Sequence, residues 1–469
     1  MELDKDLSAR QEARALARQA EKAQHILAEM PQEKLDEIVE AVATAFSKEA
    51  ASLAELAVRE TGFGNAADKG VKNRFASETV AQAIRGQKVV GLLDKKEGLW
   101  EIGIPVGVIA AIVPSTNPTS TVCYKTLIAL KAGNPIVFSP HPKALECTRR
   151  AVEIVSQAAE GAGAPKGSVA CLSIPSLEGC QELMQAKETR LILATGGPAM
   201  VKAAYSSGKP AIGVGAGNGP AYLHPSADIA KALADIRASK TFDYGTVCAS
   251  EQSIITHKSL EARVVEEAKR QGYYFMEKEE AEALGRLLFR PNGTLNPEIV
   301  GKPATALAKM AGICVPADTQ ILVAREEEAG PSRPYSMEKL CPVLAFYVME
   351  DENAVLQMCI RILDFEGSGH TFAIHARDEK VVETFAAKIP VSRFLVNTPA
   401  ALGGIGKTTP LFPALTLGCG AVGGSSSSNN ISPRDLVNIR RVAWGSREEV
   451  RADAALVELL TRKIMERLS

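Results

Sequence analysis

The chain has almost no net charge and no apolar run long enough to span a membrane. Its 469 residues carry 54 basic and 55 acidic side chains, so the formal net charge is -1. Nucleic acids and anionic membrane surfaces bind proteins through excess positive charge, so neither is expected as a partner. The longest apolar run, 106–113, is well below the roughly 20 residues of a transmembrane helix.

The cysteine pattern excludes two common structural roles. The nine cysteines are scattered, and none forms the C-x-x-C spacing of a zinc site or the dense spacing of a disulfide framework. No metal site is therefore predicted. The amino terminus is charged from its second residue and lacks the apolar segment of a secretion signal. A reducing, cytoplasmic location is expected.

The apolar residues that are present predict an α/β protein. Hydrophobic residues make up 46% of the chain, which at this length indicates two or three domains. The first hundred residues show helical spacing, with one buried stripe made by Leu35, Ile38, Val39, Val42 and Phe46. Buried strands are predicted at 106–113, 136–139, 168–174, 191–195, 211–214, 320–323, 343–349, 371–375 and 393–397. Helices between most of these strands indicate βαβ units and a doubly wound, mainly parallel sheet.

Cys248 is the residue that most narrows the chemistry. It lies just after Gly245, at the end of a predicted helix and before the apolar strand residues Ile254 and Ile255. A free cysteine is only ~3% thiolate at neutral pH, so a nucleophilic one needs a lowered pKa or a nearby base. The position suits a nucleophile presented to a cleft.

Five further segments, together with the one around Cys248, resemble landmarks of the aldehyde dehydrogenase superfamily. They are 112–118 (IVPSTNP), 131–140 (KAGNPIVFSP), 194–197 (ATGG), 338–343 (EKLCPV) and 417–420 (LGCG). The resemblance covers about residues 10–445 and is closest to the CoA-acylating branch, which includes the aldehyde half of bifunctional alcohol/aldehyde dehydrogenases. It implies a nicotinamide cofactor and Cys248 as the nucleophile.

The resemblance also implies an aldehyde dehydrogenase-like fold with a Rossmann-type nucleotide-binding domain. We predict an NAD-binding domain with a helical amino-terminal layer over 1–236 and an α/β catalytic domain over 237–416. A small return segment for oligomerisation is predicted over 417–445, the richest loop signal being 417–430, and a linker with an amphipathic helix over 446–469. A homo-oligomer, dimer or tetramer, is expected.

The most informative departure from the superfamily lies at 213–220 (GVGAGNGP), where hydrolytic members carry ELGGK. Val214 stands where their general-base glutamate would be, and valine cannot take a proton from water. The resemblance therefore implies that the acyl group passes from Cys248 to CoA. The expected substrate is a short aliphatic aldehyde such as acetaldehyde or propanal, oxidised reversibly to its acyl-CoA.

The oxyanion formed by attack of Cys248 needs hydrogen-bond donors. The backbone N–H of Cys248 and a side chain from Thr116 or Asn117 are the predicted donors. Direct matching puts the superfamily asparagine at Thr116, although Asn117 is the better donor chemically. Helix capping by Asn117 remains an alternative role.

The predicted cofactor contacts come from several loops. Ser139 stands where the superfamily carries a ribose-binding lysine, and His141 follows it; without an arginine here NAD is expected, with NADP left open. Thr195, Gly196 and Gly197 open a predicted helix with Pro198 in its first turn, and their backbone N–H groups are expected to face the pyrophosphate. Glu338 matches the glutamate that contacts the nicotinamide ribose, with a solvated surface carboxylate as the alternative. Further cofactor contacts are predicted at Pro114, Ser115, Val214 and Gly215.

Three other residues keep a structural alternative. His370, in a glycine-rich loop leading into a strand, is a potential base for Cys248 or CoA, or else a hydrogen-bonded structural histidine. Cys123 and Cys419 are expected to pack in the core, although Cys123 could also face the aldehyde.

The carboxyl-terminal segment has an apolar stripe at Val450, Ala454, Val457, Leu460, Ile464 and Leu468. It resembles the peptides that direct enzymes into bacterial microcompartments, which would make a shell protein its partner and place the enzyme inside the compartment; packing on its own domain or on another subunit is the alternative. No iron-dependent alcohol dehydrogenase half follows Ser469, so a single activity is expected.

Two other functions remain as rivals. One is a hydrolytic aldehyde dehydrogenase that uses His370 or Glu251 as its base. The other is a catalytically idle scaffold that docks through the carboxyl-terminal helix.

Overall fold

The computed structural model describes residues 4–445 and 454–468, and its amino-terminal layer is helical, as the sequence predicts. The helices are α1 (Lys5–Leu27), α2 (Gln32–Lys48), α3 (Ala50–Thr61), α4 (Ala66–Arg74) and α5 (Val80–Ile84), with a π-helical turn at Phe75–Thr79 between the last two. The predicted apolar stripe of α2 is buried along its whole length. This layer packs on the helices of the first sheet, which brings α4 close to the functional site.

A hairpin of β1 (Gly91–Lys96) and β2 (Leu99–Pro105) leads into a five-stranded parallel sheet. Its strands are β3 (Val108–Ile112), β4 (Ile136–Ser139), β5 (Val169–Cys171), β6 (Thr189–Thr195) and β7 (Ala211–Val214). Its helices are α6 (Pro118–Lys131), α7 (Leu145–Gly161), α8 (Leu177–Gln185) and α9 (Pro198–Tyr205). The strand order β5-β4-β3-β6-β7 reverses direction between β3 and β6, and ligands bind at the carboxyl ends of strands at such a point.

Helix α6 is buried on every side, and its one central cation helps to hold the sheet. The ammonium of Lys125 donates to the carbonyl oxygens of Ile112, at the end of β3, and of Leu193 in β6, at 2.8 and 2.9 Å. Burial lowers the pKa of Lys125 to about 7. These bonds satisfy a buried polar group and fix α6 to the strands whose loops form the site.

The second sheet has seven parallel strands. They are β8 (Gly219–Leu223), β9 (Glu251–His257), β10 (Tyr273–Phe275), β11 (Ile321–Arg325), β12 (Val343–Met349), β13 (Gly369–His375) and β14 (Val391–Val396), in the order β10-β11-β12-β9-β8-β13-β14. Its helices are α10 (Ile229–Thr241), α11 (Glu261–Arg270), α12 (Lys278–Leu288), α13 (Ala304–Met310), α14 (Glu352–Phe365), α15 (Glu379–Ala386) and α16 (Ala400–Gly404). Every predicted strand is present, so the predicted α/β fold is confirmed.

A third sheet joins distant parts of the chain. Strand β15 (Val437–Ala443) pairs antiparallel with β2, beyond an irregular segment that Leu417 and Asn430 close by a bridge. The chain leaves the first sheet at Val214 and enters the second at Gly219, earlier than the predicted domain boundary at residue 236. The domain limits and the oligomerisation role of 417–445 stay predictions.

The last described element is α17 (Ala454–Leu468). All described side chains from 456 to 468 are exposed, including the predicted stripe residues Val457, Leu460, Ile464 and Leu468. Val450 lies outside the described residues. Among the helices of 4–445 and 454–468, none combines the length and the apolar character needed to cross a bilayer.

Candidate active site

A cavity of about 480 Å³ brings together all of the predicted site residues except His370. It lies at the reversal point of the first sheet and is closed on one side by the loop that carries Cys248. The predicted residues in its wall are Pro114, Ser115, Thr116, Asn117, Ser139, His141, Thr195, Gly196, Gly197, Val214, Gly215, Cys248 and Glu338. Residues separated by more than 200 positions therefore share one surface.

One end of the cavity has open space and an unused polar group. Gly197 precedes α9, which begins at Pro198 as predicted, and a Cβ on Gly197 would meet no atom within 4 Å. The Thr195 hydroxyl is buried without a hydrogen-bond partner among the described residues. An orphaned buried hydroxyl beside open space at a helix start fits a polar ligand such as a pyrophosphate.

Cys248 is partly buried in a turn, and the backbone just before this turn is strained. Asp243 and Tyr244 have left-handed φ angles of 48° and 51°. Burial, with a smaller contribution from the nearby Glu338, raises the pKa of the Cys248 thiol to about 12, while Arg393 opposes the shift. The resting group is therefore a thiol, and its attack requires a proton acceptor.

Gly217 separates the Cys248 loop from His370. A Cβ on Gly217 would lie 2.0 Å from the Cys248 carbonyl oxygen and 3.3 Å from Cε1 of His370. His370 is fully buried within β13, so its predicted placement in a loop is wrong: pairing with β14 begins at Gly369, two residues before the predicted strand. Burial, with a contribution from Arg393, lowers the pKa of His370 to about 3, so the imidazole is neutral.

Glu338 is a carboxylate of the cavity wall, not a solvated surface group. It accepts the backbone N–H of Gly217 at 2.9 Å. Burial raises the pKa of Glu338 to about 8, although the bond from Gly217 acts in the opposite direction. It is the only acidic side chain among the described residues that line this cavity.

Asn117 stands at the start of α6, but its side chain makes no capping bond, so the capping alternative is wrong. Its Oδ1 accepts from the Lys72 ammonium at 2.6 Å. Its Nδ2 makes two longer contacts, to Thr246 O at 3.3 Å and to Thr116 Oγ1 at 3.2 Å. The amide is thus held between the first helical layer and the Cys248 loop.

Lys72 and Thr246 are wall residues that the sequence analysis missed. Lys72 belongs to the amino-terminal layer, where only the apolar spacing was interpreted, and nothing in the sequence separates it from surface lysines. Several apolar wall residues were also missed, namely Ile112, Val247, Leu340, Ile405, Leu415 and Leu417. Their contribution depends on loops that converge only in the fold.

The other chemical side chains considered from the sequence lie outside this wall. Cys123 and Cys419 are buried, as expected for packing residues, and Cys123 does not face the cavity. Glu251 is 1% exposed and accepts the backbone N–H of Ala400 at 2.9 Å. Burial raises the pKa of Glu251 to about 7.

Comparison with known proteins agrees with this geometry. Residues 5–274, more than half of the chain, match the family described as "Aldehyde dehydrogenase family". The chain belongs to the aldehyde dehydrogenase family. It is 50% identical to an acetylating aldehyde dehydrogenase from Geobacillus thermoglucosidasius, whose crystal structure superposes with a TM-score of 0.93 over 96% of this chain and 99% of that one.

Two further relatives extend the comparison within the aldehyde dehydrogenases. The bifunctional aldehyde-alcohol dehydrogenase of Escherichia coli is 44% identical over 92% of this chain and 49% of its own length. The chain thus spans about half the length of the first curated relatives that it matches. A propionaldehyde dehydrogenase from Rhodopseudomonas palustris, solved with bound CoA and an acylated cysteine, is 27% identical with a TM-score of 0.83, over 92% of this chain and 97% of that one.

Proposed function

We propose that this member of the family is a CoA-acylating aldehyde dehydrogenase. An aldehyde, CoA and NAD⁺ give an acyl-CoA, NADH and a proton, and the reaction is reversible. The observation that carries the proposal is Val214, which is 2% exposed in the wall of the Cys248 cavity. An apolar side chain there leaves the acyl-cysteine without the water-activating carboxylate of hydrolytic relatives.

The hydrolytic alternative is disfavoured by the position of the two bases suggested for it. His370 and Glu251 are both buried outside the cavity wall, and the imidazole pKa of about 3 makes His370 a weak base. Glu338, the carboxyl group that does line the cavity, accepts the Gly217 N–H, and its pKa of about 8 keeps most of it protonated at neutral pH. The acetylating activity in the name of the Geobacillus relative supports the same choice, as do the CoA and the acylated cysteine of the Rhodopseudomonas structure.

The residues of this chain have definable tasks in the reaction. Cys248 attacks the aldehyde carbon and releases its thiol proton, which is the proton of the overall equation. The Cys248 N–H and the Asn117 amide donate hydrogen bonds to the oxyanion that forms. A bound nicotinamide supplies the hydride acceptor. The acyl group left on Cys248 is then transferred to the thiol of CoA, which regenerates the free cysteine.

The residues of the cavity wall also support NAD as the cofactor and a short aliphatic aldehyde as the substrate. Among the described residues that line the cavity, Lys72 and His141 are the only basic side chains, and Lys72 is committed to Asn117. A 2′-phosphate would therefore find no arginine or free lysine in the wall, which favours NAD over NADP. The apolar side chains of Ile405, Leu415 and Leu417 suit a short aliphatic aldehyde.

The test is NADH formation with propanal and NAD⁺ in the presence and absence of CoA. With CoA, turnover is sustained; without CoA, NADH formation stops after about one equivalent per site, because the thioester has no acceptor. Cys248→Ala is expected to abolish both signals. Sustained carboxylic acid production without CoA would overturn the acylating assignment, and full activity of Cys248→Ala would overturn the nucleophile. No turnover by the unchanged enzyme with any short aldehyde would favour the idle scaffold.

The exposed helix α17 supports a second, separate role. The described apolar side chains from 456 to 468 are exposed, including Ile464 at 58% and Leu468 at 80%. Exposed apolar stripes of this kind mark interaction sites. We propose docking to a microcompartment shell protein, and deletion of 446–469 should remove shell co-purification while activity is retained. Loss of the folded homo-oligomer would instead indicate that the helix packs on another subunit.

A further inference from the structure

The Lys72 ammonium uses all three of its N–H donors on the loops around Cys248. It lies 2.6 Å from Asn117 Oδ1, 2.6 Å from Asp243 Oδ2 and 3.0 Å from Thr246 Oγ1. An ammonium group has three donors and no acceptor, so this set of partners is complete. Lys72 is 3% exposed. Three acceptors around one buried cation leave it a single position.

That position determines which way the Asn117 amide faces. The oxygen of the amide must face the cation, because the NH₂ group in its place would set donors against donors. The NH₂ group therefore points away from Lys72, and its contacts to Thr246 O and Thr116 Oγ1 are 3.3 and 3.2 Å long. Bonds of that length give way readily to a charged acceptor, which forms shorter and stronger ones.

A second lysine and a shared carboxylate hold the arrangement in place. Lys69 donates to the same oxygen of Asp243 at 2.9 Å and to the carbonyl oxygen of Thr116 at 2.7 Å. Burial would raise the pKa of Asp243, but the charges of Lys72 and Lys69 outweigh it and lower that pKa, so the carboxylate is ionised. A Cβ on Gly64 would lie 1.8 Å from Asp243 Oδ1, so only glycine allows this approach.

The cluster thus links α4 to both loops that face the thiol. Burial lowers the pKa of Lys72 to about 8, opposed by Asp243, so most of the ammonium is charged at neutral pH. Removing one partner of a buried ion pair strongly destabilises a protein when the other charge is left unpaired. Asp243 would not be left unpaired if Lys72 were replaced, because it also pairs with Lys69. The substitution of Lys72 is therefore compatible with a folded protein.

Resting on the proposed aldehyde chemistry, we propose that Lys72 is a positioning residue. Its ammonium orients the Asn117 amide so that the NH₂ group faces the oxyanion, and Lys69 and Asp243 hold Lys72 where it can do so. Lys72 acts through Asn117 and does not itself contact the substrate.

The test is a double-mutant cycle of Lys72→Met and Asn117→Ala, read as the rate of the first NADH burst with propanal before CoA is added. Loss of an oxyanion donor lowers such rates on the order of 10²-fold, and each single variant is expected to show a loss of this order. Because Lys72 acts through Asn117, adding Lys72→Met to Asn117→Ala should lower the rate by less than about threefold. A merely structural role would give losses that multiply.

Two further variants control the experiment. Lys131→Met removes another buried lysine, which pairs with Asp36 outside the cavity wall, and should leave the burst rate unchanged. If thermal unfolding shows that Lys72→Met is not folded, Lys72→Gln enters the cycle, since a glutamine offers either amide atom and does not enforce one orientation.

The outcomes separate this inference from the proposed function. Multiplicative losses, or a folded Lys72→Met or Lys72→Gln with the burst rate of the unchanged enzyme, would refute the role of Lys72 alone. Absence of any aldehyde-dependent NADH formation by the unchanged enzyme would instead refute the proposed function.

Discussion

Replacing Gly217 by alanine tests the geometry of the nucleophile loop most directly. The added Cβ would lie 2.0 Å from the Cys248 carbonyl oxygen and 2.9 Å from its carbonyl carbon, both of which are backbone atoms. An ordinary carbon–oxygen contact is about 3.3 Å or longer, so either the Cys248 loop or the segment that contains Gly217 must move by about 1 Å. Gly217 does not have a positive φ, so this steric overlap is the main effect of the substitution.

A displacement of about 1 Å at reacting groups lowers rates on the order of 10²-fold. We therefore expect Gly217→Ala to reduce kcat of aldehyde-dependent NADH formation by that factor. Overpacking of this kind also destabilises a fold by about 1–3 kcal/mol, which urea unfolding would detect. Gly217 also donates its N–H to Glu338, so a shift of Gly217 would displace Glu338 as well as Cys248, and both displacements are expected to contribute to the lower rate.

Gly330→Ala is the matched control. A Cβ on Gly330 would meet no atom within 4 Å, and its backbone is not left-handed, so activity and stability should stay within the error of the assay. A Gly217→Ala variant with a kcat within about threefold of the unchanged enzyme would refute the claim that Gly217 holds the Cys248 loop in register.

Two further predictions follow from the cavity and its buried histidine. Val214→Glu should release carboxylic acid from propanal and NAD⁺ without CoA, because it restores a water-activating carboxylate, and a folded variant that makes no acid would contradict this. For His370 the folded pKa of about 3 lies below the usual 6.5, so the unfolded chain binds one more proton between these values and stability falls as pH decreases from 6.5. That proton makes the free energy of unfolding change by about 1.4 kcal/mol per pH unit. When this free energy is measured by urea unfolding between pH 6.5 and 4.5, its dependence on pH should be shallower by that amount in His370→Gln than in the unchanged protein. The same dependence in both proteins would show that His370 accepts a proton in the folded state.

The parts of the fold that the sequence predicted are those set by local patterns. The stripe of α2, the buried strands and the start of α9 at Pro198 follow from side-chain periodicity and from proline chemistry, which act over a few residues. The same local reasoning misplaced His370, because glycines at 367 and 369 indicated a loop where the strand begins at Gly369. A neighbouring strand, which supplies the pairing, was not visible locally.

The candidate site likewise has residues that local sequence patterns predicted and others that they did not. Its main residues were predicted from segments that resemble family landmarks, and three of these segments, 112–118, 131–140 and 194–197, lie where strands of the first sheet end. Lys72 was not predicted, since it has no landmark around it and lies 45 positions from Asn117 and 171 from Asp243. Its role arises from the packing of α4 against two distant loops, which no local pattern encodes.

The sequence by itself determined the kinds of group available: one thiol at Cys248, a valine in place of the hydrolytic glutamate, and an asparagine at 117. The tertiary structure alone decided the protonation states and the orientations of these groups. Burial, which depends on every element around a group, raises the pKa values of Cys248 and Glu338 and lowers that of His370. The contact with Lys72 likewise orients an amide that the sequence only names, because charge and burial act through space and not along the chain.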